Sequence, residues 1–187
     1  MSQATLIMPL ASLFRRNRHR ARAHAAYTSI VEQARAPDFF LRLEVPDTLD
    51  GRFEMIALHM FLVLNRLKTE HAATEEFAQA LFDAMFADLD RGLREMGASD
   101  MGVGKRVKEM ATGFYGRVAA YEKGLAGDDE LLSDALKRNL YGTVQPSAHA
   151  VAGMARYVRG QARTLARQPV EAFFRDDVRF DPVTASL

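Results

Sequence analysis

The chain has 187 residues, enough for one domain with an arm, and its 48 % apolar and 26 % charged residues are those of a chain that folds around a core. It has no Cys, which excludes disulfides, iron–sulfur clusters and thiolate zinc sites together. A net charge of +1 excludes a global field that draws in nucleic acid, but the charge is uneven: residues 1–35 set Arg15, Arg16, Arg18, Arg20, Arg22 and Arg35 against Glu32 alone, so a +5 arm precedes a body of −4.

Helical periodicity dominates and no long alternating pattern suggests a sheet, so the expectation is an all-α single domain of about six helices with a protruding basic N-terminal helix. The arm spans 1–36, the helical domain 37–180 and a tail 181–187. The first helix runs from Ser12 to Ala34 with Leu13, Phe14, Ala21, Ala25, Ile30 and Val31 as its apolar members, and stops at Pro37. FRRNRHRARAHA within it is basic and weakly amphipathic. It reads either as a solvated charged face or as an attachment to anionic lipid or RNA through Arg15, Arg16, Arg18, Arg20 and Arg22, although the interleaved aromatics of single-strand binding are missing.

After an irregular stretch with two prolines, a second helix begins near Gly51 and is apolar nearly all round, which places it in the middle of a bundle. Its most apolar run, Met55–Leu64, is ten residues long and contains His59, where a spanning helix needs about 20. The arginines follow Leu6-Ile7-Met8 rather than precede it, unlike a secretory signal, so the expected location is cytoplasmic and peripheral to a membrane. A third helix, Thr74 to Met96, is expected to be capped by Thr74 and ended by Gly97, with Phe77, Leu81, Ala84, Met85, Leu89 and Leu93 inward. A fourth runs from Gly102 to Leu125 on the stripe Val103, Val107, Met110, Phe114, Val118, Tyr121, Leu125. A fifth runs from Asp128 to Tyr141, and a sixth is capped by Ser147 and ends near Arg167. A short turn, Val170 to Arg175, follows.

Gly102-Val103-Gly104-Lys105 looks like the end of a phosphate loop, but position 99 is Ser where the first Gly belongs, position 106 is Arg where a hydroxyl belongs, and a helix precedes it. A helix–loop–helix corner, with Asp100 as cap, accounts for it better. No Glu-x-x-His or His-x-x-x-His pair is present, so no metal is expected, and His59 reads as a hydrogen-bonded core or interface histidine. Asp83, Asp88, Asp90 and Glu95 share a helix with Arg91 and Arg94. Asp90–Arg94 and Arg91–Glu95 are ion pairs of a solvated face before they are catalytic groups. The density of charge and glycine from Asp88 to Arg106 nevertheless suggests a recognition surface. In Phe114-Tyr115-Gly116-Arg117, Tyr115 and Arg117 fall off the apolar stripe and read as surface contacts, while Gly113 is expected at a tight helix crossing.

VPDTLDGRFEMIALHMFLVLNRL (45–67) followed by DLDRGLREMGASDMGVGKRVKEMATGFYGR (88–117), with Gln33-Ala34-Arg35-Ala36-Pro37 before them, resembles the ubiquinol-cytochrome c chaperone family over residues 12 to 180. It resembles the alphaproteobacterial type, short in the body and without a transit peptide. The resemblance implies a non-enzymatic assembly factor of the cytochrome bc1 complex that binds newly made cytochrome b, works with a small partner protein and associates with the ribosome near its exit, with no cofactor and no DNA. The client surface expected is Gly51, Arg52, His59, Asp88, Asp90, Arg94, Glu95, Asp100, Lys105, Arg106, Tyr115 and Arg117. The alternatives are an RNA- or ribosome-docking adaptor, and a helical-bundle enzyme using the Asp88/Asp90 face.

Overall fold

The computed structural model describes residues 10–97, 99–175 and 177–186, and side chains from residue 19 to 184 with Met101 apart. Eight α-helices follow one another among the described residues: α1 (Leu10–Ala34), α2 (Pro37–Leu41), α3 (Leu49–Leu67), α4 (His71–Glu95), α5 (Asp100–Ala126), α6 (Asp129–Asn139), α7 (Ala148–Ala166) and α8 (Val170–Phe173). Six of them are long, and no strand occurs among the described residues. This is the all-α bundle that the periodicity implies.

Helix α3 is the axis. It starts where the Thr48 hydroxyl accepts the Gly51 N–H at 3.1 Å, and it is buried on every face from Phe53 to Val63. It packs against α1, α4, α5 and α7. A helix apolar nearly all round has this one low-energy place in a helical protein, because any solvent-facing side would expose Leu, Ile or Phe. Helices α1 and α4 run parallel, with His19 near Glu76 and Tyr27 near Asp88. From Ala23 onward α1 shares the common core through Ala23, Ala26, Tyr27, Ile30 and Ala34, whereas Ala21 is exposed. Arg15, Arg16 and Arg18 lie in α1, but their side chains fall outside the described residues; Arg20 is exposed and Arg22 half-buried.

Chain turns follow their local chemistry. Gly97 ends α4 at φ +83, the left-handed region that glycine enters without a Cβ penalty. Asp128 and Ser147 cap α6 and α7 by accepting Leu131 N–H at 2.9 Å and Ala150 N–H at 3.1 Å. Two expected starts differ. Ser99 rather than Asp100 caps α5, through Gly102 N–H. Helix α4 begins at His71 instead of Thr74, because Thr74 turns its hydroxyl back to Leu67 O at 2.8 Å and is buried inside the helix. The stretch after Phe174 crosses α7: Asp181 receives Gln161 Nε2 on its carbonyl at 2.9 Å, returns its N–H to Gln161 Oε1 at 3.0 Å, and Val178 and Val183 enter the core.

Candidate functional site

The residues expected to recognise a client divide into three groups. The first is a charged corner between α4 and α5. Arg94 donates from Nε to Asp90 Oδ2 at 2.6 Å and from a terminal nitrogen to Asp100, so one guanidinium ties the end of α4 to the start of α5. These bonds hold the Asp90 carboxyl below its ordinary range and raise Arg94. Arg91 sits 3.6 Å from Asp88, one turn back, rather than on Glu95. Asp88 also accepts the Tyr27 hydroxyl at 3.0 Å. Burial, reinforced by that carboxylate, pushes the Tyr27 phenol upward, so it stays a donor. Lys105 lies exposed, 3.9 Å from Glu109, and Glu95 is exposed.

The second group surrounds the start of α3. Arg52 donates to Asp47 Oδ1 at 2.6 Å and Arg106 lies 3.7 Å from Asp50. Beside them a cavity of about 490 Å³ opens between α3, α5 and the turn after α6, with Glu54 and Arg117 in its wall. Arg117 is not a free surface contact. Its guanidinium closes a two-point pair with the buried Glu54 carboxylate, Nε to Oε2 at 2.6 Å, and this bonding raises Arg117. Gly113 is also not at a helix crossing: a Cβ there would stand 2.7 Å from Arg117 Nη1, so the missing side chain is the space through which Arg117 reaches α3. Gly51 is buried, and a Cβ on it would meet Pro46 O at 2.0 Å, which makes it a packing glycine and not a contact surface.

The third group is the core. His59 is fully buried and cannot touch a partner. Its Nδ1 lies 2.8 Å from Met55 O, which can only accept, so Nδ1 carries the proton and Nε2 accepts the Tyr157 hydroxyl at 2.7 Å. Tyr157 in turn receives Gln33 Nε2 at 2.9 Å. The rings of Phe39, Tyr157 and Phe180 enclose the imidazole, and burial pushes His59 down to about 4, keeping it neutral.

Tyr115 belongs to none of these. It leaves α5 on the side facing α4, 63 % exposed, with its ring 5.8 Å from Phe82. Phe82 and Phe86 stack at 4.6 Å and Phe82 also meets Phe114 at 5.8 Å. Between α4 and α5, over α3, the rings of Phe82, Phe114 and Tyr115 border a groove of about 440 Å³. Sequence reasoning missed Phe82 and Phe86. Their signal was an i,i+4 aromatic pair set off the inward stripe of α4. No group of three or more His, Asp and Glu able to hold a metal occurs among the described residues.

Residues 41–180 match the family described as ubiquinol-cytochrome C chaperone. The chain belongs to the ubiquinol-cytochrome c chaperone family. Its fold is that of a Cbp3 homolog from Brucella abortus, whose crystal structure superposes with a TM-score of 0.80 at 38 % identity, covering 94 % of this chain and 98 % of that one. Ubiquinol-cytochrome c reductase complex assembly factor 1 of Mus musculus is 30 % identical over 139 residues, 74 % of this chain and 47 % of the mouse protein. Mitochondrial protein CBP3 of Saccharomyces cerevisiae is 27 % identical over 149 residues, 77 % of this chain and 44 % of the yeast protein. The chain thus spans about half the length of these two relatives. The chaperone family is one of assembly factors, not enzymes, so the ion-paired Asp88/Asp90 face needs no catalytic reading.

Proposed function

We propose that this chaperone-family member assists assembly of the ubiquinol-cytochrome c reductase (bc1) complex, and that its client is newly made cytochrome b. The observation that carries the reading is the family match over residues 41–180, together with 30 % identity over 139 residues to a protein named as an assembly factor of that reductase. The recognition surface is the charged corner: Asp90, Arg94, Glu95, Asp100, Lys105 and the neighbouring Arg52 and Arg106 are exposed or half-exposed, and a rigid helix–turn–helix holds them in register. Gly51, His59 and Arg117 drop out of it, and Asp88 serves chiefly to hold Tyr27 of α1. The basic half of α1, with Arg15, Arg16, Arg18, Arg20 and Arg22, keeps the protein at an anionic surface, whether the membrane on its cytoplasmic side or the ribosome near its exit. No described helix is long and apolar enough to cross a membrane.

The test is a photo-crosslinker at position 94 or 105 in the full chain, co-expressed with cytochrome b. Covalent capture of cytochrome b supports the reading. Its absence at both positions, with the protein folded, removes the corner as the client surface. The triple variant R94E/K105E/R106E should lose capture while keeping its circular dichroism spectrum. Arg117 is left intact, because its loss strands a buried carboxylate.

A further inference from the structure

We propose that the cavity between α6, α7 and the stretch after Phe174 seats a short, extended, acidic segment of a protein partner. This surface shares no residue with the charged corner and does not depend on what the corner binds.

Helix α7 carries Arg156, Arg159, Arg163 and, at its C-cap, Arg167, at spacings of 3, 4 and 4 that keep them on one face. No acidic residue occurs from 148 to 170. All four arginines line a cavity of about 650 Å³, together with the carboxylates of Asp129 and Asp181. Arg159 is a strut. It donates to Asp129 at 2.7 Å and to the carbonyls of Leu125 and Gly127 at 3.1 and 2.9 Å, closing the end of α5. Arg163 and Arg167 are exposed and have no acidic partner among the described residues; Arg167 donates to the Thr164 hydroxyl at 3.0 Å. Like charges one turn apart cost a helix stability, and an anion between them removes that cost. The helix dipole favours cations within the last turn, where Arg163 and Arg167 stand, but gives nothing to Arg156, about three turns from the end.

Length and lining select the anion. From Arg156 to Arg167 the helix rises about 16 Å, a span that one phosphate or carboxylate cannot cover and that five extended residues cover at about 3.3 Å each. Acidic side chains at alternate positions of such a segment recur about every 7 Å, close to the rise of about 6 Å between Arg163 and Arg167. The apolar part of the lining is Ala152, Ala155 and Gly160. It offers no aromatic ring on which a nucleobase could stack and no large apolar side chain to receive an acyl chain. The two aspartates separate a peptide from a phosphate chain. Asp129 is held by Arg159 and Asp181 accepts the Thr164 hydroxyl, and each carboxylate can accept further bonds. A phosphodiester has no donor for them and is repelled by them. A peptide brings backbone N–H groups to the carboxylates and carboxylates to the guanidinium forks.

The probe is a rhodamine-labelled, ten-residue peptide of Gly and Ser with glutamate at alternate positions, titrated by anisotropy against the full chain; its control carries glutamine at those positions. Saturable binding of the glutamate peptide is expected, at least tenfold tighter than the control and at least tenfold weaker for R163E/R167E. Both positions are exposed, so that variant should keep the wild-type melting temperature and circular dichroism spectrum. R163K/R167K should recover only part of the affinity, since an ammonium lacks the fork. Changing Arg15, Arg16, Arg18, Arg20 and Arg22 to Gln should leave the affinity within twofold. Loss in that variant with none in R163E/R167E puts the peptide on α1 and overturns the proposal, as does equal binding of the glutamate and glutamine peptides. A single-stranded oligouridylate or a phosphatidylserine vesicle that binds more tightly than the peptide, and loses that binding in R163E/R167E, makes the cavity a phosphate site and also overturns it.

Discussion

Arg117 on α5 and Glu54 on α3 form a two-point ion pair at the edge of the core, with Glu54 buried and the guanidinium also lying 5.7 Å over the Phe53 ring. The carboxylate has given up water for this one partner. Arg117→Ala is therefore expected to cost about 3–5 kcal/mol, measured by urea denaturation, because it leaves a buried charge unpaired. Lys at 117 recovers only part, since an ammonium cannot present the two-pronged fork. Replacing both residues together, E54L/R117M, should restore most of the loss.

The same pair distinguishes two glycines three residues apart. At Gly116 a Cβ would meet nothing within 4 Å, so Gly116→Ala should stabilise the helix by about 1 kcal/mol and raise the melting temperature by a few degrees. At Gly113 the new Cβ, 2.7 Å from Arg117 Nη1, must shift the guanidinium that Glu54 holds through Nε and the other terminal nitrogen. Gly113→Ala should therefore show no such gain, and in an R117A background the gain should reappear. Equal stabilisation at both sites would mean that the missing Cβ at 113 has no part in the pair.

What could be read from residue order was what helical periodicity reports. The burial of α3, the inward stripes of α4 and α5 and the caps at Asp128 and Ser147 all follow from local pattern. The contacts that divide the site are long-range and leave no such trace. Glu54 and Arg117 lie 63 positions apart, and His59 and Tyr157 lie 98 apart. A polar residue on an apolar helix reads identically whether its partner is solvent, a client or a side chain brought in by another helix. Arg117 thus reads as a surface contact because its partner is invisible; His59 reads as a hydrogen-bonded core or interface histidine and proves to be the core one, so only its place on the client surface falls; and Phe82 and Phe86 escape notice because they lie beside the apolar stripe of α4.

The burial of His59 makes stability depend on pH. Burial holds His59 at about 4 in the folded protein against an ordinary 6.5, so between these values the unfolded chain binds a proton that the folded one refuses. Stability is then complete above pH 6.5 and falls as the pH drops toward 4, by about 3 kcal/mol from this group. Chemical denaturation at pH 7.5 and 4.5 measures it, and His59→Gln should flatten that part of the profile. Tyr157→Phe leaves Nε2 without its donor and should cost about 1–3 kcal/mol at neutral pH.

Glu44 is a non-glycine residue held at φ 55, and its carboxylate grips the start of α7 by accepting both the N–H and the hydroxyl of Ser147 at 2.8 Å. Those bonds hold its carboxyl below the ordinary range, so the clamp is present above the unfolded value and is lost as the pH falls through the lowered one. Glu44→Ala loses the clamp and keeps the backbone strain. Glu44→Gly loses the clamp but accepts the left-handed conformation. Amide exchange in the first turn of α7 should be slowest in the wild type, faster in the glycine variant and fastest in the alanine variant. An alanine variant as protected as the wild type would rule the clamp out.

Gly51 decides how a loss of client capture should be interpreted. Its Cα lies against the Pro46 carbonyl, and an added Cβ at 2.0 Å from that oxygen must move backbone on one side or the other. Gly51→Ala is therefore expected to destabilise the protein by about 1–3 kcal/mol or more, as overpacking does, and to loosen the loop that presents Arg52 and Asp47. Its effect on capture should scale with the unfolded fraction and vanish when the protein is held folded at low temperature. An Arg52 variant, whose side chain is exposed, should instead change capture at unchanged stability if the corner reads the client. Measuring both by thermal melting and by crosslinking yield at 10 and 37 °C separates the two. A Gly51→Ala protein that melts like the wild type yet fails to capture would return Gly51 to the recognition surface.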